Sequence, residues 1–300
     1  MPENEPALWT AASLGQTQEV RHLLMDGAVI EEKGGPDECS PLHEAVREGH
    51  INVVRVLLEY KADASTKDNT GTTPLHVLVS HDRDAFEGQG HLEVPRVLLA
   101  ISRSRHLVLH RLLLEHGAGV STKNNNGTTP LHLAADWHPR LVEFLIAHGA
   151  DPFAKDEKGT TPLHSARHKS VVHILLDQGA DINVKDTAGK TPLYEAISAN
   201  AFRGQSDMVR VLLKRGADVT AEDLASAEAR TVDKNHIHHK EIAAIYKKNA
   251  ALLRAALLRA GQTRRAKCVA FAMAQHERLG VGSLFSTLPP EMMQQIMFLV

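Results

Sequence analysis

Short apolar stretches recur along the chain, and the same polar-to-apolar signal opens most of them. It reads Ser40-Pro41-Leu42-His43, Thr73-Pro74-Leu75-His76, Thr129-Pro130-Leu131-His132, Thr161-Pro162-Leu163-His164 and Thr191-Pro192-Leu193-Tyr194. Ser or Thr is a good helix N-cap, and Pro suits the first helical position, where its missing N–H costs nothing. Leu then begins a short apolar face. A second apolar run follows, as in Val53-Val54-Arg55-Val56-Leu57-Leu58, and a glycine ends it in a left-handed conformation. Those ends form their own series: Gly27-Ala28-Val29, Lys61-Ala62-Asp63, Gly117-Ala118-Gly119, Gly149-Ala150-Asp151, Gly179-Ala180-Asp181 and Gly216-Ala217-Asp218. Each unit predicts two short helices and a turn. One such unit cannot bury its own apolar face, so neighbours must stack.

The prolines stand at 41, 74, 130, 162 and 192, which gives steps of 33, 56, 32 and 30 residues. With the Thr-Pro-Leu-His tetrapeptide, this period resembles the ankyrin repeat over roughly residues 3 to 220. The resemblance implies an all-α solenoid of helix-turn-helix repeats joined by β-turn or hairpin loops, with a C-terminal helical extension. Residues 3–35 are expected to be an N-terminal capping repeat, with Leu8 and Ala11-Ala12 where the Leu and following alanines would fall. Residues 36–220 are expected to hold about five repeats. The resemblance also implies that His43, His76, His132 and His164 hydrogen-bond neighbouring loop backbone.

Three units depart from the period. The long step places an insertion at 81–105. Two stretches there compete for the unit's second helix, 90–99 and 106–114. Pro95 would break the first, so the second is expected to be the helix and the first an inserted loop with a short helix. The unit at 156–185 lacks about three residues between Leu163 and Gly179, which predicts abbreviation of both its helices. The unit at 186–218 is lengthened around Asn200 to Ser206.

After Asp218 the pattern fades. Thr220 to Ala225 reads as the start of a degenerate first helix, and Glu241 to Ala260 as a helix with Ile242, Ile245, Leu252, Leu253, Leu257 and Leu258 apolar. Residues 221–278 are therefore expected to be a degenerate capping repeat and a basic helical segment. Charge is segregated: the formal total of −2 is an average of −9 over 1–233, +8 over 234–278 and −1 over 279–300. A basic helix could meet nucleic acid or an acidic partner. Without aromatic interleaving for base stacking, a solvated face is the simpler expectation.

The last stretch, 279–300, ends in Ser286-Thr287-Leu288-Pro289-Pro290-Glu291 followed by apolar residues at helical spacing. Leu288, Pro289, Glu291, Ile296 and Leu299 match the opening of an F-box residue by residue. The arrangement is similar to the PRANC element that closes some poxvirus and bacterial ankyrin proteins. That resemblance implies docking on the linker subunit of a cullin-RING (SCF-type) ubiquitin ligase through Leu288, Pro289, Glu291, Met292, Ile296 and Leu299. The alternative is burial of the same apolar helix against the chain's own 250–274 segment.

Composition narrows the remaining classes. Aromatics make up 4% of residues, too few for one large globular core but adequate for a stack. Two cysteines, Cys39 and Cys268, cannot build a disulfide framework, so a reducing location, cytoplasmic or nuclear, is expected. The N-terminal residues have no secretory pattern, and the longest apolar run, 268–274, is far below the roughly 20 residues of a membrane span. No phosphate-binding loop, nucleophile elbow, zincin motif or paired Cys-x-x-Cys occurs. No enzyme, cofactor, metal site or small-molecule substrate is expected. Among the nineteen histidines, the His236, His238 and His239 cluster lacks a cysteine or carboxylate at ligand spacing.

Binding is expected on a concave surface of turn tips and first helices. In the ankyrin pattern the positions before the turn glycine and just past the first helix carry contacts. These positions are Arg47 and Glu48, Asn69 and Thr70, Ser80 and His81, Asn125 and Asn126, Asp136 and Trp137, Glu157 and Lys158, His168, Thr187, and Ser198. Trp137 is either an exposed anchor or a space-filler turned inward by the shortening of its unit. Two functions are compatible with this organisation. One is a substrate-recruiting ligase adaptor, with the target on the concave face and the tail on the linker subunit. The other is a plain ankyrin binding module, an inhibitor or scaffold with a self-packed tail.

Overall fold

A computed structural model describes residues 5–87, 107–198, 205–220 and 223. Its helices run α1 (Ala7–Ser13), α2 (Thr17–Met25), α3 (Pro41–Arg47), α4 (Ile51–Glu59), α5 (Pro74–Glu87), α6 (107–115), α7 (Pro130–Trp137), α8 (Pro139–Ala147), α9 (Pro162–Ser165), α10 (Lys169–Asp177), α11 (Pro192–Ser198) and α12 (Gln205–Lys214). Odd-numbered helices pack in one row, α1 on α3, then α5, α7, α9 and α11; α2 packs on α4, and α10 on α8 and α12. The fold is the all-α ankyrin-type solenoid expected from the repeat. Among the described residues the extended pairing is a single antiparallel bridge, Gly34 to Cys39.

Local chemistry explains each unit. Pro41, Pro130 and Pro162 open their helices at the first position, after Ser40, Thr129 and Thr161 in extended conformation. Leu8, Leu42, Leu75, Leu131, Leu163 and Leu193 begin the first helices and are buried. Alanines on the same helices (Ala11, Ala12, Ala45, Ala134, Ala135 and Ala196) are also buried, and their small side chains let adjacent helices approach closely. Val53, Val54 and Leu57 of α4 meet this layer from the second row, as do Val171, Val172 and Leu175 of α10.

The second helices end alike. Ala62, Ala118, Ala150, Ala180 and Ala217 donate backbone N–H back to Leu57, Leu113, Leu145, Leu175 and Leu212 at 2.9–3.1 Å, the wide bond of a Schellman cap. The residue before each alanine takes positive φ. It is glycine everywhere except at Lys61, held at φ +70°.

Two departures from expectation concern helix length. Helix α6 at 107–115 is the second helix of the long unit, as expected, and it leads directly into Gly117-Ala118. The first helix of that unit, α5, extends to 14 residues, twice the length of α3 or α11. In the short unit the loss falls entirely on α9, which has four residues, while α10 keeps nine. The expectation that both helices shorten is corrected. Burial of Val171, Val172 and Leu175 requires all of α10, whereas Ala166 turns extended after one turn of α9.

One compact unit runs to Ala217 and a second begins at Asp218, described only at 218–220 and 223. There Thr220 N–H and hydroxyl both donate to Asp223 Oδ2, at 2.7 and 2.8 Å, and Asp223 N–H returns a bond to Thr220 Oγ1 at 3.2 Å. This is a reciprocal side-chain cap at the position where the sequence places a helix start. The bulk of the 81–105 insertion, the 200–206 lengthening, the Glu241–Ala260 helix, the His236 cluster, Cys268 and the whole 279–300 tail lie outside the described residues. Among those described, no helix is long and apolar enough to cross a membrane.

Candidate protein-binding face

Divided at their turn tips, the repeats are unit 1 (5–33), unit 2 (34–67), unit 3 (68–123), unit 4 (124–155), unit 5 (156–185) and unit 6 (186–217). The tips of units 3 to 6 are built by one side chain each. Asp68 Oδ1 accepts from Thr70 and Thr72 N–H at 2.8 Å, and Asn124, Asp156 and Asp186 repeat this pair of bonds at 2.8–3.0 Å. Such Asx turns pre-shape a tip without help from a partner.

Neighbouring tips are then joined through backbone. Asn69 N–H donates to Asp37 O at 3.1 Å, Asn125 N–H to Thr70 O at 2.9 Å, Glu157 N–H to Asn126 O at 3.0 Å and Thr187 N–H to Lys158 O at 2.9 Å. Behind the tips stand the tetrapeptide histidines. In His43, His76, His132 and His164, Nδ1 accepts the N–H of its own Ser40, Thr73, Thr129 or Thr161 and pairs with that residue's hydroxyl. Nε2 therefore carries the proton. It donates to Thr72, Thr128, Thr160 and Lys190 O at 2.9, 3.0, 3.0 and 3.2 Å, always in the next unit. Burial pushes all four imidazoles below their ordinary pKa, His76 to about 4. Tyr194 takes the place of this histidine in unit 6.

The expected contact residues separate into two groups. Several are already occupied in holding the face together. Asn69 Nδ2 donates to Pro36 O at 3.4 Å, Asn125 Nδ2 to Asn69 O at 3.0 Å and Thr187 Oγ1 to Lys158 O at 2.8 Å, while Thr70 Oγ1 donates to Asp68 Oδ1 at 2.7 Å. His168 caps α10, its Nδ1 accepting Ser170 N–H at 3.2 Å. The second group presents its side chains outward: Glu48, Ser80, Asn126, Glu157 and Lys158 are exposed and Ser198 is half-exposed. His81 lies on α5 and Trp137 ends α7, and both side chains are outside the described residues.

Among the described residues three ion pairs lie on this face, and two of them, Arg47–Asp37 and Arg167–Asp136, join residues far from each other in sequence. Arg47 Nη1 bonds Glu44 Oε2 at 2.7 Å, and its Nη2 lies 3.7 Å from Asp37. Arg167 Nε lies 2.6 Å from Asp136 Oδ1, reaching from just past the truncated α9 to the end of α7. The shortened spacing of unit 5 was the signal for Arg167, because it removes the turn that would have carried that residue away. No group of three or more His, Cys, Asp or Glu side chains among the described residues is placed to hold a metal. The arrangement offers a mixed-charge polar surface suited to another protein.

The ankyrin-repeat model, described as three copies, matches residues 8–101, 94–156 and 138–223. A zebrafish putative palmitoyltransferase ZDHHC13 is 31% identical over 185 residues, 47% of this chain and 29% of its own length. Mouse ankyrin repeat and SOCS box protein 16 is 31% identical, over 42% of this chain and 30% of its own. The fowlpox virus putative ankyrin repeat protein FPV222 is 29% identical, over 39% of this chain and 17% of its own. The chain thus spans under a third of the length of each of these relatives. An ankyrin stack is a protein-interaction scaffold, and with matches running from residue 8 to 223 this chain belongs to the ankyrin-repeat family.

Proposed function

We propose that the protein is a non-enzymatic adaptor that holds a target protein on its ankyrin face and brings it to a cullin-RING ubiquitin ligase. The observation that carries this reading is the tail pattern Leu288-Pro289-x-Glu291 followed by Ile296 and Leu299, set after a protein-binding stack. The name of the mouse relative likewise joins ankyrin repeats to a second element, the SOCS box. The adaptor would transfer no group itself; it would raise the effective concentration of target beside the ligase. In this reading Glu48, Ser80, Asn126, Glu157 and Lys158 meet the target, with Arg47, Asp136, Trp137 and Ser198 flanking them. Leu288, Pro289, Glu291, Met292, Ile296 and Leu299 meet the linker subunit. Work in the cytoplasm or nucleus suits both partners.

The test is recovery of linker subunit and cullin from a eukaryotic lysate. Full-length protein retains them, and a chain ending at Gly282 does not. Leu288→Asp and Ile296→Asp abolish recovery while leaving thermal unfolding of the stack unchanged. Equal recovery with and without the tail overturns the reading. If the two substitutions instead collapse thermal stability, the tail is self-packed and the protein is a plain binding module.

A further inference from the structure

The segments that link each second helix to the next tip carry two further ladders. In the first, a side-chain oxygen of one unit accepts the N–H at the start of the next unit's linking segment. Glu31 Oε1 accepts from Asp63 at 2.8 Å, Ser65 Oγ from Gly119 at 2.9 Å and Ser121 Oγ from Asp151 at 3.2 Å. In the second, a lysine ammonium donates to the carbonyl of the equivalent lysine one unit on: Lys33 to Lys67 at 2.9 Å, Lys67 to Lys123 at 2.8 Å and Lys123 to Lys155 at 2.7 Å. Junctions 1–2, 2–3 and 3–4 therefore each hold both bonds.

At junction 4–5 both ladders stop. The acceptor position is Phe153, whose ring has no acceptor and stands 48% exposed. Asp181 N–H accordingly finds no partner among the described residues, and Lys155 makes no hydrogen bond to Lys185. The same junction is where α9 loses its last turn. Beside the packing of α7 on α9 and α8 on α10, the junction keeps the histidine bond from His132 to Thr160, the tip bond from Glu157 to Asn126 and the Arg167–Asp136 pair.

We propose that this junction is a bending point of the solenoid: units 4 and 5 part along the linking segments 151–155 and 181–185 while the histidine and tip bonds serve as the hinge line. Local opening follows the distribution of cross-links rather than the average stability of a fold. In a solenoid, where each unit touches only its neighbours, an under-stitched junction concentrates motion. The exposed Phe153 is then the mark of a missing stitch and not a packing residue, so replacing it leaves the core untouched.

Spin labels on the full-length chain test this, with Cys39→Ser and Cys268→Ser as background. One pair spans junction 4–5 (Ala147→Cys with Gln178→Cys) and a control pair spans junction 3–4 (Glu115→Cys with Ala147→Cys). Double electron–electron resonance is expected to give a distance distribution broader by roughly a factor of two across junction 4–5. Phe153→Ser supplies the acceptor present at the three preceding junctions. It should narrow the 4–5 distribution toward the control and slow hydrogen exchange of the Asp181 amide by about tenfold, the worth of one net hydrogen bond. Equal widths in the parent protein overturn the proposal. A Phe153→Ser chain that slows Asp181 exchange without narrowing the distribution also overturns it, because the missing bond would then not control the bending.

Discussion

His76 donates through Nε2 to the carbonyl of Thr128, 3.0 Å away but 52 residues further along the chain. The same bond from His43, His132 and His164 closes over 29, 28 and 26 residues. The insertion in unit 3 thus leaves the junction geometry unchanged, and the staple is set by stacking rather than by chain length.

The staples make the fold acid-sensitive. Each Nδ1 already accepts two bonds, so a proton there sets donor against donor. The folded pKa lies below the unfolded value of about 6.5, and for His76 it falls to about 4. Between these values the unfolded chain binds more protons, so stability is fully present above about pH 6.5 and is lost as pH falls toward 4. His76 alone accounts for about 3 kcal/mol across that window. Urea unfolding midpoints at pH 7 and pH 4.5 check this. His76→Ala should flatten the dependence while lowering stability at pH 7.

Lys61 is a second point of strain. It holds φ +70° where the other units have glycine, and a side chain in the left-handed region costs about 1–2 kcal/mol. Lys61→Gly should therefore raise stability by about 0.5–1 kcal/mol after the added freedom of the unfolded chain is counted. Thermal unfolding reads it directly; a lowered midpoint would show that Lys61 is held by contacts outweighing the strain.

The tips offer a paired comparison. A Cβ on Gly127 would stand 2.7 Å from the Glu157 backbone nitrogen, whereas one on Gly189 meets nothing within 4 Å; their φ values are +73° and +78°. Backbone strain is therefore common to both, and the clash is not. Gly127→Ala should cost about 1–2 kcal/mol more than Gly189→Ala. Equal losses would mean that the tip ladder contributes nothing to stability.

Cys39 tests burial at the first junction. Its thiol is covered, receives the Trp9 indole N–H at 3.3 Å and faces Glu44 at 3.7 Å. Burial raises its pKa. In a Cys268→Ser chain, a disulfide reagent should modify Cys39 at the rate of global unfolding and be accelerated by urea. Fast modification in native buffer would show that unit 1 opens independently.

Much of this architecture was legible because its signals are local. The cap, proline and leucine of each tetrapeptide lie within four residues, and α6 was recognisable from its direct run into Gly117-Ala118. The shortening of unit 5 was visible in the spacing, but its allocation to α9 depended on which helix had more apolar surface to keep. The length of α5 was hidden, since Ser80 to Glu87 is mostly polar and carries no apolar stripe. At the candidate face the neighbours of each side chain were not readable. Whether Asn69, Asn125 or Thr187 points at a partner or at the next tip depends on register with residues about 30 to 56 positions away.

The tip ladder has a consequence for how recognition can change. Asn125 grips the carbonyl of Asn69, and Thr187 grips that of Lys158. A substitution that alters contact at one tip therefore also shifts the tip before it. Specificity on such a surface cannot be edited one position at a time: adjacent letters are spelled together, and new binding preferences would have to arise as compatible pairs.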